Sequence, residues 1–497
     1  MDDKINQPQN QSPPDPNSEV RPIFESVTVE EDKNITPEEL PADVQTPNQE
    51  QISQEGPQMP ADVPPVYEEN KNKYLIIVAG VIVFILFIFL LVKLLSGKKA
   101  VPKEVKITYW GLWEEKEAIQ PLIQAYQQKN PNVKIDYQKR SPSDYREKLI
   151  ARSKNGQGPD IFRFHNTWLP QIKEIVSPLP QSIMSNSEFE KTFYKIHQTD
   201  LKIEKYYYGL PLEIDGLVMI CNLSLLNQAG INLPPVTWED VIDATSKITV
   251  KDRSGQIITA GIALGTTSNV EHFSDIFGLM LVQNGTDLKN LNQKEAAGAL
   301  ESYRKFAEQP QGFWDESMPN SIAAFIEGKV AMIIAPSWQT LVIKNSNPDI
   351  KIKVVPVPYV PGGKAISIAN YWVEGVSRYS NNQEESWKFL RYLVEKENLT
   401  KLFENQSKTR LFGEPYSRID LAPILLQNEY LAPVIKQADI YVSLPVVART
   451  FDNGLNDEII KYLENAINST AQGVSYEEAL KTAKQGVDQV FSRFNIQ

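Results

Sequence analysis

Aromatic side chains stand beside polar groups at two places where predicted strands end. The sequence reads GLWE at 111–114, after one such strand, and HNTW at 165–168, after another. Rings stack on the apolar C–H faces of a sugar, while carboxylates and amides bond its hydroxyl groups. This pairing therefore favours an uncharged saccharide as ligand. Trp110, inside its strand, is more typical of a packing residue, and packing is also the alternative role for Trp113 and Trp168. The candidate contacts at these two places are Trp113, Glu114, Asn166 and Trp168.

Alternating strands and helices would position these residues. Strand-like stretches bounded by helical spacing predict parallel pairing with right-handed crossovers, so the carboxyl ends of the strands meet at one edge. Ligands of open α/β sheets bind beyond that edge. The second predicted helix begins near a Ser cap at Ser143. The predicted strands are 105–110, 133–137 and 160–164, and the predicted helices are 115–129 and 143–154.

Six stretches, in order along residues 105–490, resemble one protein family. The segment GQGPDIF is similar to its "G..PDv" turn and strand, and FIEGKVAMIIAPSW to its "F..GkaAM...g.W" motif. The chain is identified by this resemblance as a member of extracellular solute-binding protein family 1, the carbohydrate-binding group that includes maltose-binding protein. The other stretches are ITYWGLWEEKEAIQPLIQAYQQKNPNVKIDY, YGLPLEIDGLVMICNLSLLNQAGINLPPVTWEDVIDATSKIT, VVPVPYVPGG with SWKFLRYLV, and GVSYEEALKTAKQGVDQV.

The resemblance implies an α/β, two-lobed periplasmic-binding-protein type 2 fold over 105–497. The ligand is then gripped between lobes that close by a hinge motion. One lobe is expected to contain about 104–211 and 363–412. The other is expected to contain about 212–362 and 413–497.

The resemblance also implies further ligand contacts. Trp338 matches the Trp that ends the "g.W" motif, where sugar binders of the family stack a ring on the ligand. Asp215 follows the YGLP stretch, where an acidic contact is common, with a solvated surface charge as the alternative. Tyr371 and Trp372 stand where the family often has a glycine pair, so they would add a stacking wall or narrow the cleft. Weaker candidates, for which a surface or structural role is the alternative, are Glu213, Phe451 and Asp452.

The function implied is capture of a sugar or oligosaccharide and delivery to the permease subunits of an ABC importer. A surface receptor that binds saccharide for sensing or adhesion, without transport, is the alternative, and nothing in the chain decides between the two. A glycosidase needs only two placed carboxylates, but the order of the motifs argues against an enzyme.

Other chemistries find little support in the residue types. The three histidines lack the i,i+4 spacing of a zinc helix, and a single cysteine, Cys221, cannot complete a metal set or a disulfide. Cys221 lies in an apolar run and is typical of a core residue.

Residues 1–73 carry 5 Lys and Arg against 16 Asp and Glu, so they hold the whole net charge of −11. The neutral remainder gives no reason to expect nucleic acid. We predict no catalytic residue, metal or cofactor.

An uncharged apolar run at 74–92 is long enough for a bilayer's hydrocarbon core. It predicts a transmembrane helix over 74–95, contacting lipid as an uncleaved signal anchor. Residues 96–104 are expected to be a short tether. The Pro- and Gln-rich residues 1–73 are expected to be a disordered tail. The family implies an extracellular C-terminal domain on a single-pass membrane protein, although the lysines that flank the run favour the reverse orientation.

Overall fold

The computed structural model describes residues 72–95 and 103–496. The chain divides into two compact units, Met1–Gly97 and Lys98–Gln497. Within the described residues, all strands lie in the second unit. In chain order they are β1 (Val105–Gly111), β2 (Val133–Lys139), β3 (Ile161–His165), β4 (Lys202–Ile203), β5 (Tyr206–Tyr207), β6 (Leu210–Pro211), β7 (Leu217–Asn222), β8 (Val250–Lys251), β9 (Ile257–Ile262), β10 (Val330–Pro336), β11 (Ile352–Pro356), β12 (Ser367–Ile368), β13 (Trp372–Val376) and β14 (Tyr441–Val442).

Several helices begin at a polar cap that the sequence supplies. Thr237 and Asp240 form a reciprocal capping box at the start of the helix Trp238–Ile248, and the Ser475 side chain accepts from the Glu478 amide at the start of the helix Tyr476–Arg493. The helices are α1 (Asn72–Leu95), α2 (Lys116–Lys129), α3 (Tyr145–Lys154), α4 (Leu169–Ile172), α5 (Asn186–Thr192), α6 (Lys195–Asp200), α7 (Leu223–Gln228), α8 (Trp238–Ile248), α9 (Phe273–Gln283), α10 (Lys294–Arg304), α11 (Ser321–Ile326), α12 (Gln339–Ser346), α13 (Gln383–Leu393), α14 (Lys396–Gln406), α15 (Ala422–Leu425), α16 (Ala432–Lys436), α17 (Leu455–Ala471) and α18 (Tyr476–Arg493).

The first sheet has the strand order β2-β1-β3-β13-β6. β1 pairs in parallel with β2 and with β3, which confirms the predicted parallel start. The carboxyl ends of β1 and β3 therefore lie at the same edge of this sheet. β13 is antiparallel to β3, with Trp372 opposite His165. Because β13 runs the other way, it begins at the edge where β1 and β3 end.

The second sheet has the order β11-β7-β10-β9-β8. All residues of β7 and β10 are buried, so these strands read as continuous apolar runs rather than as alternating patterns. Cys221 lies within β7 with no exposed surface, as expected for a core residue. The carboxyl end of β10 leads directly to Ser337 and Trp338.

Two chain segments, 212–216 and 357–371, cross from one sheet to the other. A bridge between Gly216 and Ala369 holds them side by side, and β12 pairs in parallel with β14 beside them. The two-lobed α/β fold is thus confirmed, with one sheet in each lobe. We call the lobe of the first sheet lobe one and that of the second sheet lobe two. The exact lobe boundaries, including the crossings at 362 and 412, stay predictions.

The sequence predicts a transmembrane helix over 74–95, and this prediction is wrong. Helix α1 forms there, but no helix within the described residues is both long and apolar enough to span a bilayer. The predicted signal anchor and lipid contact are corrected with it. Residues 1–71 of the predicted tail and 96–102 of the predicted tether lie outside the described residues.

The predicted Ser cap near Ser143 is also wrong. Helix α3 begins at Tyr145, and its N-cap is Asp144, whose side chain makes no capping bond. Asp144 has a φ of 52°, a left-handed conformation that Asp and Asn tolerate better than most residues. This turn places the helix start two residues later than the sequence pattern indicates.

Candidate functional site

Four aromatic rings gather near the edge where β1 and β3 end. The ring centroids of Trp113 and Trp372 lie 5.4 Å apart in an edge-to-face arrangement, and Trp113 lies 6.3 Å from Phe451. Trp168 lies 5.3 Å from Trp372. We call these four residues the ring platform. Trp113 and Phe451 are 36% and 38% exposed, whereas Trp372 and Trp168 are 9% and 1% exposed. Trp113 and Phe451 are therefore the two rings that a ligand could reach without rearrangement.

Trp372 is fixed by its backbone as well as by its neighbouring rings. Its amide donates to Glu213 Oε1 at 2.8 Å. The His165 ring lies 5.1 Å from the Trp372 ring, and burial lowers the pKa of His165 to about 4. The His165 imidazole is therefore neutral at physiological pH, and its uncharged ring packs against the ring of Trp372.

Asp215 lies in the first crossing segment and is 5% exposed. Its Oδ1 accepts from the amides of Gly216 (2.7 Å) and Ser337 (3.3 Å), and its Oδ2 accepts from the Trp338 amide (3.3 Å). Burial raises the pKa of Asp215 to about 7, against the lowering effect of these hydrogen bonds. The carboxyl group therefore anchors the turn after β10 and holds Trp338 at the crossing.

Trp338 is partly buried at the start of α12. Its ring centroid lies 6.1 Å from that of His272. The next residue, Gln339, donates to Glu271 Oε1 at 2.9 Å, and Glu271 also forms an ion pair with Arg449 at 2.5 Å. A ring, a carboxylate and a guanidinium are thus adjacent in lobe two. Our sequence reasoning did not predict Glu271 or Arg449, because no motif or spacing in the chain marks either residue.

Asn166 and Tyr371 are buried partners of one acidic side chain. Asn166 Nδ2 donates to Asp200 Oδ2 (3.1 Å) and Ser443 Oγ (2.8 Å), and the Tyr371 hydroxyl donates to Asp200 (2.8 Å). Burial raises the pKa of Asp200 to about 6. Asn166, Asp200 and Ser443 line a cavity of about 600 Å³ whose other walls include Phe491. Tyr371 has no exposed surface, so it supports this network from within.

Glu114 does not point into open solvent beside Trp113. It is 7% exposed and pairs with the Arg163 guanidinium inside lobe one. Gln406 Nε2 also donates to Glu114 Oε1 at 3.2 Å. The Glu114 side chain is therefore bonded inside lobe one, although its neighbour in the chain, Trp113, belongs to the ring platform.

Five of the eight predicted site residues fall into two groups, while Asn166 and Tyr371 meet at Asp200 and Glu114 pairs with Arg163. Trp113, Trp168 and Trp372 come together in lobe one, and Asp215 and Trp338 come together at the start of lobe two. The crossing strands connect the groups, since the Asn370 amide donates to the Asp215 carbonyl at 2.9 Å. Whether each of these residues contacts a ligand stays a prediction.

Metal and nucleophile chemistry has no evident site in the described chain. Among the described residues, no group of three His, Cys, Asp or Glu side chains is arranged to hold a metal ion. Burial raises the pKa of the Cys221 thiol to about 12, so it remains a protonated thiol at physiological pH.

Two α/β sheets in separate lobes, joined by paired crossing strands and carrying rings near the crossing, define a solute-binding protein of the two-lobed class. Bacterial extracellular solute-binding proteins match this chain over residues 111–399, and the chain belongs to that family. The resemblance seen in the motifs is thereby confirmed.

Individual relatives agree with this assignment. The maltodextrin-binding protein of Bacillus subtilis is 23% identical over 415 residues, which cover 80% of this chain and 92% of that protein. A Listeria monocytogenes ABC substrate-binding protein, solved in complex with cycloalternan, has a TM-score of 0.62 and 20% identity, covering 80% of this chain and all of that one. A cyclo/maltodextrin-binding protein complexed with maltotetraose has a TM-score of 0.64 and 19% identity, covering 79% and 99%. At these identities the solved structures show the shared fold.

Proposed function

We propose that this protein captures an uncharged sugar or oligosaccharide outside the cell and delivers it to an ABC importer. The observation that carries the proposal is the pair of exposed rings, Trp113 and Phe451, at the edge where ligands of α/β folds bind. Exposed rings suit the apolar faces of a sugar. The names of the relatives, which bind maltodextrin, cycloalternan and maltotetraose, support the same ligand class.

The polar groups near Trp338 fit the hydroxyl groups of a sugar. Glu271 supplies acceptor oxygens, and Arg449 supplies fixed donors that cannot be deprotonated. Their side chains are 17% and 50% exposed, so both remain reachable from solvent. We propose that a ligand stacks on Trp338 and on the ring platform, with Trp113, Trp372 and Asp215 as contacts or supports. We propose that four other residues support these contacts without touching the ligand: Glu114, Asn166, Trp168 and Tyr371.

A ligand panel on the full-length protein tests the ligand class. Maltotetraose, mannobiose and tagatose should be compared with amino acids, a peptide mixture and divalent cations by thermal melting. A saccharide that binds the native state increases the free energy of unfolding by mass action, by about 2.7 kcal/mol at one hundred times its Kd. The melting temperature rises accordingly. Stabilisation by the amino acids, peptides or cations alone would contradict the sugar assignment.

Delivery to an importer needs a separate test. The full-length protein, loaded with the stabilising sugar, should stimulate ATP hydrolysis by its permease and ATPase subunits in proteoliposomes. The unloaded protein should stimulate less. Equal ATP hydrolysis with and without the loaded protein would favour a saccharide receptor that feeds no importer.

A further inference from the structure

Residues 448–453 precede α17 and carry the exposed ring of the platform that follows Arg449 by two positions. We call these six residues the strap. At its beginning, the Ala448 amide donates to Asp275 Oδ2 on α9 at 2.9 Å, and Arg449 pairs with Glu271, which lies just before α9. Because α9 lies between β9 and β10 in the chain, and both strands belong to the second sheet, this end of the strap is attached to lobe two.

The other end of the strap is attached to lobe one through Asp452. The Asp452 carbonyl accepts from Arg146 Nε on α3 at 2.5 Å, and its Oδ2 accepts from Gln171 Nε2 on α4 at 2.7 Å. Gln171 Oε1 in turn accepts from the Leu455 amide at 3.1 Å. Helix α3 connects β2 to β3 of the first sheet, and α4 follows β3 in the chain. The strap therefore joins the two lobes.

The Asp452 side chain is fully buried, and both of its carboxylate oxygens accept hydrogen bonds. Oδ2 also accepts from the amide and from Nδ2 of Asn456, both at 2.9 Å. Oδ1 accepts from the amides of Gly454 and Asp457, both at 3.1 Å. These amides lie at the start of α17, where unpaired N–H groups and the helix dipole favour a carboxylate. Asp452 thus binds protein groups on all sides and leaves no oxygen for a solute.

Alternate residues of the strap have a left-handed backbone, with φ of 64° at Arg449, 55° at Phe451 and 42° at Asn453. A bulky side chain rarely adopts this conformation, which persists only where surrounding contacts enforce it. Attachment of the strap at both ends supplies such contacts. The Phe451 side chain between these ends remains 38% exposed, and its ring centroid lies 6.3 Å from that of Trp113. The position of this exposed ring therefore depends on its neighbours in the chain.

We propose that Asp452 is a positioning residue for solute binding: its buried carboxylate attaches the strap to lobe one and thereby holds the Phe451 ring beside Trp113, where a solute contacts both rings. Without this attachment, Phe451 leaves its left-handed conformation and its ring moves away from Trp113. Asp452 acts through Phe451 and does not touch the solute. The effect on solute affinity rests on the proposed sugar-binding function, but the effect on the position of the ring does not.

A first experiment needs no ligand. Fluorine NMR of the full-length protein, labelled with 5-fluorotryptophan, reports the surroundings of Trp113, whose resonance is assigned by its absence in Trp113→Phe. Phe451→Ala should shift this resonance, because a neighbouring ring is removed. Asp452→Ala should shift it to the same position. Ser475→Ala is the matched control, since it removes a cap from α18, the helix packed against α17, and should leave the resonance unchanged.

Gln171→Leu tests the same attachment without removing the carboxylate from the start of α17. It loses the bonds from Gln171 to Asp452 and Leu455 and should shift the Trp113 resonance in the same direction, even if Asp452→Ala does not fold. A Trp113 resonance that responds to Phe451→Ala but to neither strap variant would overturn the role of Asp452. A resonance that does not respond to Phe451→Ala would contradict the ring contact itself.

A second experiment measures the affinity for maltotetraose by calorimetry. Asp452→Ala and Phe451→Ala should each weaken binding about tenfold, the loss expected for one displaced stacking ring. The double variant should bind no more weakly than Phe451→Ala, because both changes remove the same contact. Ser475→Ala should bind as the unchanged protein does.

Two results would overturn the link between Asp452 and the solute. One is an unchanged affinity in Asp452→Ala beside a loss in Phe451→Ala. The other is losses that add fully in the double variant, which would show that Asp452 acts independently of the ring. Absence of maltotetraose binding in every protein would count against this sugar as ligand, while the fluorine resonance would still decide whether Asp452 positions Phe451.

Discussion

The site rings of the two lobes differ in packing, although a carboxyl group accepts from the backbone amide of each, Glu213 at Trp372 and Asp215 at Trp338. In lobe one, Trp372 is buried among other rings, with Trp168 at 5.3 Å and Trp113 at 5.4 Å. In lobe two, Trp338 lies beside one imidazole ring and is held at its amide by the Asp215 carboxyl group. A ring that is packed among other rings contributes more to the stability of its lobe than a ring with few ring neighbours, so the second can be removed at less cost. The same residue type should therefore respond differently to truncation in the two lobes.

The largest expected effect is on the stability of lobe one. Trp372→Ala removes the centre of the ring platform and should lower the free energy of unfolding by roughly 3–5 kcal/mol, the usual cost of truncating a buried aromatic residue. Denaturant unfolding of the full-length protein measures it. Trp113→Ala is the matched control, because this ring is 36% exposed and its loss should cost about 0.5–1.5 kcal/mol. Equal costs would show that burial does not distinguish the two rings.

The next effect is on affinity, in lobe two. Trp338→Ala should weaken binding of the stabilising sugar by roughly 1–3 kcal/mol, by analogy with stacking of bases on aromatic rings. Each 1.4 kcal/mol is about tenfold in Kd. The melting temperature without ligand should change little. A large fall in that melting temperature, with affinity kept in the folded fraction, would place Trp338 in the core and remove the contrast between the lobes.

The sequence predicted the fold better than it predicted the site. Alternating strand and helix patterns predicted β1, β2 and β3 within a few residues, because short-range periodicity determines them. The ring contact between Trp113 and Trp372 depends on β13 pairing antiparallel with β3 across 211 residues of chain (Arg163 to Glu374). No local pattern encodes that pairing. Arg163 reads as an ordinary polar residue in a strand, so its burial among carboxyl groups could not be foreseen.

At the N-terminus, the prediction of a membrane span rested on apolar length alone and was wrong. The run at 74–92 predicted a helix, and α1 forms there, but the further inference of a membrane span is not supported. Helix formation follows from local residue types, whereas crossing a bilayer requires a helix that is both long enough and apolar enough. Formation of helix α1 therefore does not by itself imply a membrane span.

The anchor of Trp338 gives a prediction that depends on pH. The pKa of Asp215 is raised to about 7 from an ordinary value near 3.8. The folded state therefore binds more protons than the unfolded state between these values, so stability should fall as pH rises from about 4 to 7. Asp215→Asn should remove this contribution to the slope. It should also cost about 1–3 kcal/mol, because an amide nitrogen cannot accept from the Trp338 amide.

The measurement is the free energy of unfolding at several pH values, for the unchanged protein and for Asp215→Asn. Asp240→Asn is a suitable control, because Asp240 is exposed and its pKa is lowered by hydrogen bonds to backbone and side chain of the α8 cap. Its loss should therefore reduce stability without removing the decline between pH 4 and 7. An unchanged slope in Asp215→Asn would assign the decline to other buried carboxyl groups, such as that of Asp200, whose pKa burial raises to about 6.

The smallest expected effect concerns the Arg449–Glu271 ion pair of lobe two. The Arg449 side chain is 50% exposed, and exposed ion pairs contribute about 0–1 kcal/mol. Arg449 also has a φ of 64°, a left-handed conformation that costs a residue with a side chain more than it costs glycine. Arg449→Gly therefore loses the ion pair but relieves the backbone, and its stability should match the unchanged protein within about 1 kcal/mol. Arg449→Ala, which loses the pair and keeps the strain, should be the less stable of the two. Both variants could instead unfold at the same denaturant concentration, well below that of the unchanged protein. The guanidinium would then stabilise lobe two as strongly as the ring platform stabilises lobe one, which would contradict the contrast between the lobes.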